Sequence, residues 1–93
     1  MGRTQIPMSD LEMKVLSVLA RHGELLSSAV HIKLAHDIKT LGLENVKRLA
    51  RTMSPSQLGR MGFLGVRRLA QIRRDRGDAA LDAILRDLEE VLK

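Results

Sequence analysis

The stretch GVRRLAQIRRDR, residues 65–76, sets Arg67, Arg68, Arg73 and Arg74 among Val66, Leu69, Ala70 and Ile72. Helical spacing divides such a segment into an apolar and a basic side. A guanidinium presents a fixed fork of donors that suits phosphate oxygens and guanine edges. The chemistry implied is therefore recognition of a polyanion, not bond-making. With Lys47, Arg51 and Arg60 upstream, seven basic residues become candidate DNA contacts. The bias is local. Residues 47–76 carry nine basic side chains against the single acid Asp75, whereas residues 78–93 carry five acids against Arg86 and Lys93. The whole chain is +5, with a pI near 10.5, which favours an anionic partner, nucleic acid first. A solvated basic face is the competing reading.

Little else in the sequence supports catalysis. Cys is absent, which excludes disulfides and Cys-ligated metals. His31 and His36 are five apart, so they do not share a helix face as metal ligands three or four apart would. His22 stands away from both. No nucleophile, base and orienting group stand together. The glycines at 59, 62 and 65 lack the Lys-Ser/Thr ending of a phosphate loop. We therefore expect no enzyme and no cofactor or metal in this chain.

The elements that must position the arginines read as all-α. Leu, Val, Ile, Ala and Met supply nearly all of the 44% apolar content, and Phe63 is the only aromatic residue. Residues 1–8 are expected to be a flexible leader. Residues 9–76 are expected to be a helical regulator and dimerisation domain, and 77–93 an acidic amphipathic helix. Ser9 with Glu12 forms a capping-box pattern. Leu11, Val15, Leu19, Leu26, Val30, Leu34 and Ile38 then recur in steps of four or seven. This pattern predicts a long helix over 9–41, with a break at Gly23 as the alternative. Apolar residues off that line, Met13 and Ile32 among them, call for cover on more than one side. An intertwined homodimer through Leu19, Leu26, Val30, Leu34 and Ile38 is the expectation.

Gly42 ends the long helix and LENVKRLART, 43–52, is a short amphipathic one. MSPSQLGRMG, 53–62, then opens with Ser54 as N-cap, Pro55 at the first helical position and Gln57 completing a capping box. Three or four shorter helices thus follow the first. Gly59, Gly62 and Gly65 either make a slim strip for a close neighbour, or Gly62 ends the helix. The latter is preferred. Residues 54–62, the turn, and 65–76 then have the spacing of a helix-turn-helix. For a helix-hairpin-helix, Gly62-Phe63-Leu64-Gly65 is one residue too long. No run is long and apolar enough for a membrane span, and the first residues lack a signal-peptide core, so a cytoplasmic location is expected.

Leu41-Gly42-Leu43, Leu49-Ala50 and Ser54-Pro55-Ser56-Gln57-Leu58 with Met61, followed by Arg73, resemble the FlhD family, a subunit of the flagellar master transcriptional activator. The resemblance spans about residues 25–73. The Cys often found after the Ser-Pro-x-Gln helix in that family is missing, and Gly59 and Gly62 replace bulkier residues. The resemblance implies an all-α homodimer that joins a zinc-binding FlhC-like partner, binds promoter DNA and recruits RNA polymerase. It also implies a smaller, more mobile part after residue 73. The alternatives are a self-sufficient helix-turn-helix protein and a protein-binding adaptor or antiactivator.

Overall fold

Leu11, Val15, Val18 and Leu19 fall on one side of the first helix because each lies three, four or seven residues from another, and all four are buried. The computed structural model describes residues 8–24 and 29–93, so the expected leader lies almost wholly outside the described residues. Six helices are seen among them: α1 Met8–Arg21, α2 Val30–Leu41, α3 Leu43–Thr52, α4 Pro55–Met61, α5 Leu64–Arg76 and α6 Asp78–Val91. The all-α expectation holds.

The long helix over 9–41 does not. Helix α1 ends at Arg21, and the chain turns through His22 and Gly23, the latter at φ 74°. Its last carbonyls are closed by His22 N–H on Leu19 O and Gly23 N–H on Ala20 O. Helix α2 is a separate element packed on α1. Each helix carries its own apolar stripe toward the same core, on either side of the break. Helix α1 also starts at Met8, which places Ser9 inside the first turn and not at the N-cap.

Shorter-range expectations hold. Gly42 separates α2 from α3 and donates to Ile38 O at 2.8 Å. Gln57 N–H donates to Ser54 Oγ and Ser54 N–H to Gln57 Oε1, both at 3.2 Å, closing the capping box at α4. Gly62, at φ 84°, ends α4 in the left-handed conformation that glycine adopts without a Cβ clash.

Helix α5 is the hub. It packs on α2, α3, α4 and α6, and Gly65, Val66, Leu69, Ala70 and Ile72 are buried among them. At Gly65 the backbones of α5 and α2 nearly touch. A Cβ on Gly65 would stand 2.2 Å from the Leu34 Cα, closer than any real contact. The close neighbour of that glycine is therefore the chain's own second helix. Helix α6 contributes Leu81, Ile84, Leu85 and Leu88 to the same core, packing on α1, α3 and α5. Residues 77–93 are thus integral to the domain, not a separate smaller part.

The described part of the stripe assigned to a dimer interface is spent inside the chain. Leu19, Leu34 and Ile38 belong to the core and Val30 packs against it, while Leu26 lies outside the described residues. These residues found their cover in α5 and α6. No described helix is long and apolar enough to cross a membrane.

Candidate nucleic-acid interface

The seven basic candidates divide into two groups once the helices are packed. Four are engaged within the chain. Arg68 Nη2 donates to Glu24 Oε1 at 2.8 Å, and Arg76 reaches the other oxygen of the same carboxylate. Glu24 is only 7% exposed, so removing both cations would strand a charge with little water. Arg76 also donates to His22 O at 3.1 Å, and His22 Nε2 lies 2.7 Å from Asp87 Oδ2 on α6. This chain of polar contacts ties the end of α1 to α5 and α6.

Arg73 donates to the carbonyls of Arg51 and Met53, closing the unsatisfied C-terminal end of α3. Arg51 itself lies 3.1 Å from Asp82. Lys47 Nζ is 3.0 Å from Glu89 and 3.4 Å from Glu44. The Glu89 hydrogen bond raises the Lys47 pKa, and Lys47 in turn lowers that of Glu89. Acidic α6 thus pairs with Lys47 and Arg51 of α3.

Three remain together. Arg60, Arg67 and Arg74 line a groove of about 520 Å³ between α4 and α5, with Pro55, Ser56, Gly59 and Gln71. Arg67, Gln71 and Arg74 follow in steps of four and three, so they form one line along α5. Arg60 projects from α4 beside them. The Arg67 side chain passes over Gly59, its Cδ 3.5 Å from where a Cβ would stand, an ordinary contact distance. Among the described residues, Arg60 and Arg67 have no acidic partner, and Arg74 has only the exposed Asp75 at 3.7 Å.

Two features limit how this groove can work. Neighbours on several sides leave α5 a narrow solvent stripe, whereas a recognition helix about 10–12 Å across must seat itself in a major groove of similar width. Nor is the start of α5 open to a phosphate. Asp37 Oδ2 accepts from Gly65 N–H at 2.9 Å and Val66 N–H at 3.1 Å, so a buried carboxylate from α2 already caps it. Burial raises the Asp37 pKa against the opposing pull of those two amides. The hairpin-type phosphate site, already one residue too long in sequence, is closed by this contact.

Glu24 and Asp37 were not singled out in the sequence, although both are buried acids that organise basic or donor groups around them. A signal existed for Asp37: it sits among Leu34, Ile38 and Leu41 on the apolar side of α2. His31 and His36 lie on α2 without a shared ligand set, and no described group of three His, Asp or Glu residues is placed to hold a metal ion. No protein-family model, curated protein or solved structure matches this chain.

Proposed function

We propose that this chain is a DNA-binding regulator subunit that grips the phosphate backbone through Arg60, Arg67 and Arg74. The observation that carries the proposal is their convergence on one groove while the other four basic candidates serve the fold. Arg67 and Arg74 are seven residues apart, about 10 Å along the helix axis, which suits separate phosphates of one strand. Gln71 and Ser56 add neutral donors between them. Backbone contacts position a protein without reading sequence. Promoter choice would then come from a partner, in keeping with the resemblance to FlhD and its FlhC-like zinc-binding companion. The self-sufficient helix-turn-helix reading is weaker because α5 is so enclosed.

Homodimerisation remains part of the proposal, through residues other than the buried stripe. Met13 on α1, 64% exposed, is the residue on which it rests. Fluorescence anisotropy with random duplex DNA at several salt concentrations tests both points. Neutralising three phosphates gives a slope of log K against log salt of about −2.7, and a dimer presenting two grooves about twice that. Absence of binding at low salt would refute direct DNA contact.

A further inference from the structure

A second surface lies apart from the arginine groove and shares no lining residue with it. Ile32, Lys33, His36, Asp37, Gly62 and Leu64 enclose a mainly apolar groove of about 340 Å³ between α2 and the start of α5. Ile32 is 41% and Leu64 38% exposed, both large aliphatic side chains left in water. Lys33, His36 and Lys39 occupy the exposed side of α2, and the two lysines have no acidic partner among the described residues. Asp37 lies beneath, but its carboxylate is committed to the amides of Gly65 and Val66 at the start of α5.

We infer that this surface docks an acidic amphipathic helix of a partner protein, with a large aliphatic residue seated between Ile32 and Leu64 and carboxylates facing Lys33 and Lys39. Charge complementarity selects the occupant: an apolar slot edged by unpaired cations rewards an apolar anchor flanked by acids. A nucleic acid fits less well. Proteins hold flexible single strands by stacking the bases on aromatic rings, and Phe63, the one aromatic residue, is packed against the core. A phosphate backbone would leave Ile32 and Leu64 uncovered. The surface extends the proposed regulator by a partner site, yet it does not depend on DNA binding.

The test is anisotropy with a fluorescein-labelled synthetic helical peptide carrying Leu along one face and Glu beside it. Two controls replace Leu with Ser, or Glu with Lys. The acidic Leu peptide binds, both controls lose binding, and Ile32→Ser or Leu64→Ser weakens it about ten-fold. Lys33→Glu weakens it as well, while Arg67→Ala with Arg74→Ala leaves it unchanged. Both apolar positions are exposed, so the variants should fold, and circular dichroism is the control that checks this. Failure of the acidic peptide to bind overturns the inference, as does binding indifferent to Ile32→Ser and Leu64→Ser. If those variants instead lower affinity for duplex DNA, the surface belongs to nucleic acid. If they abolish self-association of the chain, it belongs to a second copy. Either result overturns the acidic-helix assignment without bearing on the arginine groove.

Discussion

Gly65 on α5 lies directly over Leu34 on α2, so close that a Cβ at Gly65 would meet the Leu34 Cα at 2.2 Å and its amide nitrogen at 2.4 Å. Both contacts are backbone, which cannot rotate aside as a side chain would. Gly65→Ala must therefore push α5 off α2, at a cost of about 2 kcal/mol or more. For a chain of this length that lowers the melting temperature by about 10 °C. Gly59→Ala is the contrast. Its Cβ would meet only the flexible Arg67 side chain at an ordinary distance, so stability holds or rises by up to about 1 kcal/mol. Thermal melts of the two variants check the pair, and equal losses would contradict this packing.

Asp37 predicts a distinctive pH response. Burial raises its folded-state pKa above the ordinary 3.8. The folded protein then binds the proton more tightly than the unfolded chain. This contribution to stability is fully present below about pH 3.8 and is lost as the pH rises through the folded value. Asp37→Asn removes the titration while keeping a carbonyl for the α5 amides. The advantage of the wild type over Asp37→Asn should shrink as the pH rises across that range. Asp37→Ala leaves two buried amides without an acceptor and costs about 2–3 kcal/mol more than Asp37→Asn, with the same pH trend relative to the wild type. Urea denaturation in an acid-to-neutral pH series measures both.

Glu24 holds two arginines from one buried carboxylate. Arg68 Nε is already buried without a partner, so the Glu24 contacts are what compensate its desolvation. Glu24→Gln should cost about 1–3 kcal/mol, a value reduced from the fully buried case because both guanidiniums are partly wet. Arg68→Ala in the Glu24→Gln background should cost much less than in the wild type. Additive losses in a double-mutant cycle would show that the pair is not coupled.

The arginines should separate by assay. If the proposed function holds, Arg67→Ala with Arg74→Ala should weaken DNA binding across all sequences and lower the salt slope by about 2. Arg68→Ala and Arg73→Ala should instead lower the melting temperature, with the slope unchanged. A change in slope for the second pair would mean that the division of the basic residues is wrong.

What could be read before folding was local. The Ser54–Gln57 box, the stop at Gly42 and the buried side of α6 each depend on residues within one or two turns, and each is present. Relations between distant residues were hidden. Arg67 and Arg68 are neighbours of one type, yet one lines the groove and the other meets Glu24, 44 residues away. Arg73 resembled a DNA contact until its position under the end of α3 was known. The long first helix was misread because α1 and α2 each carry an apolar stripe toward one core, and Gly23 alone marked the break.

Helix α5 contributes the arginine line on one side and the centre of the core on the other. Its companion α4 has seven residues, too few to persist alone in water. Phosphate recognition here would consequently be non-transferable. A peptide spanning residues 54–76 carries every arginine of the groove but lacks Leu34 beneath Gly65 and the Asp37 carboxylate that starts α5. Grafted elsewhere, those same letters would be a basic coil. The groove is a property of residues scattered from α2 to α6, so selection on binding and selection on folding act on one set of positions.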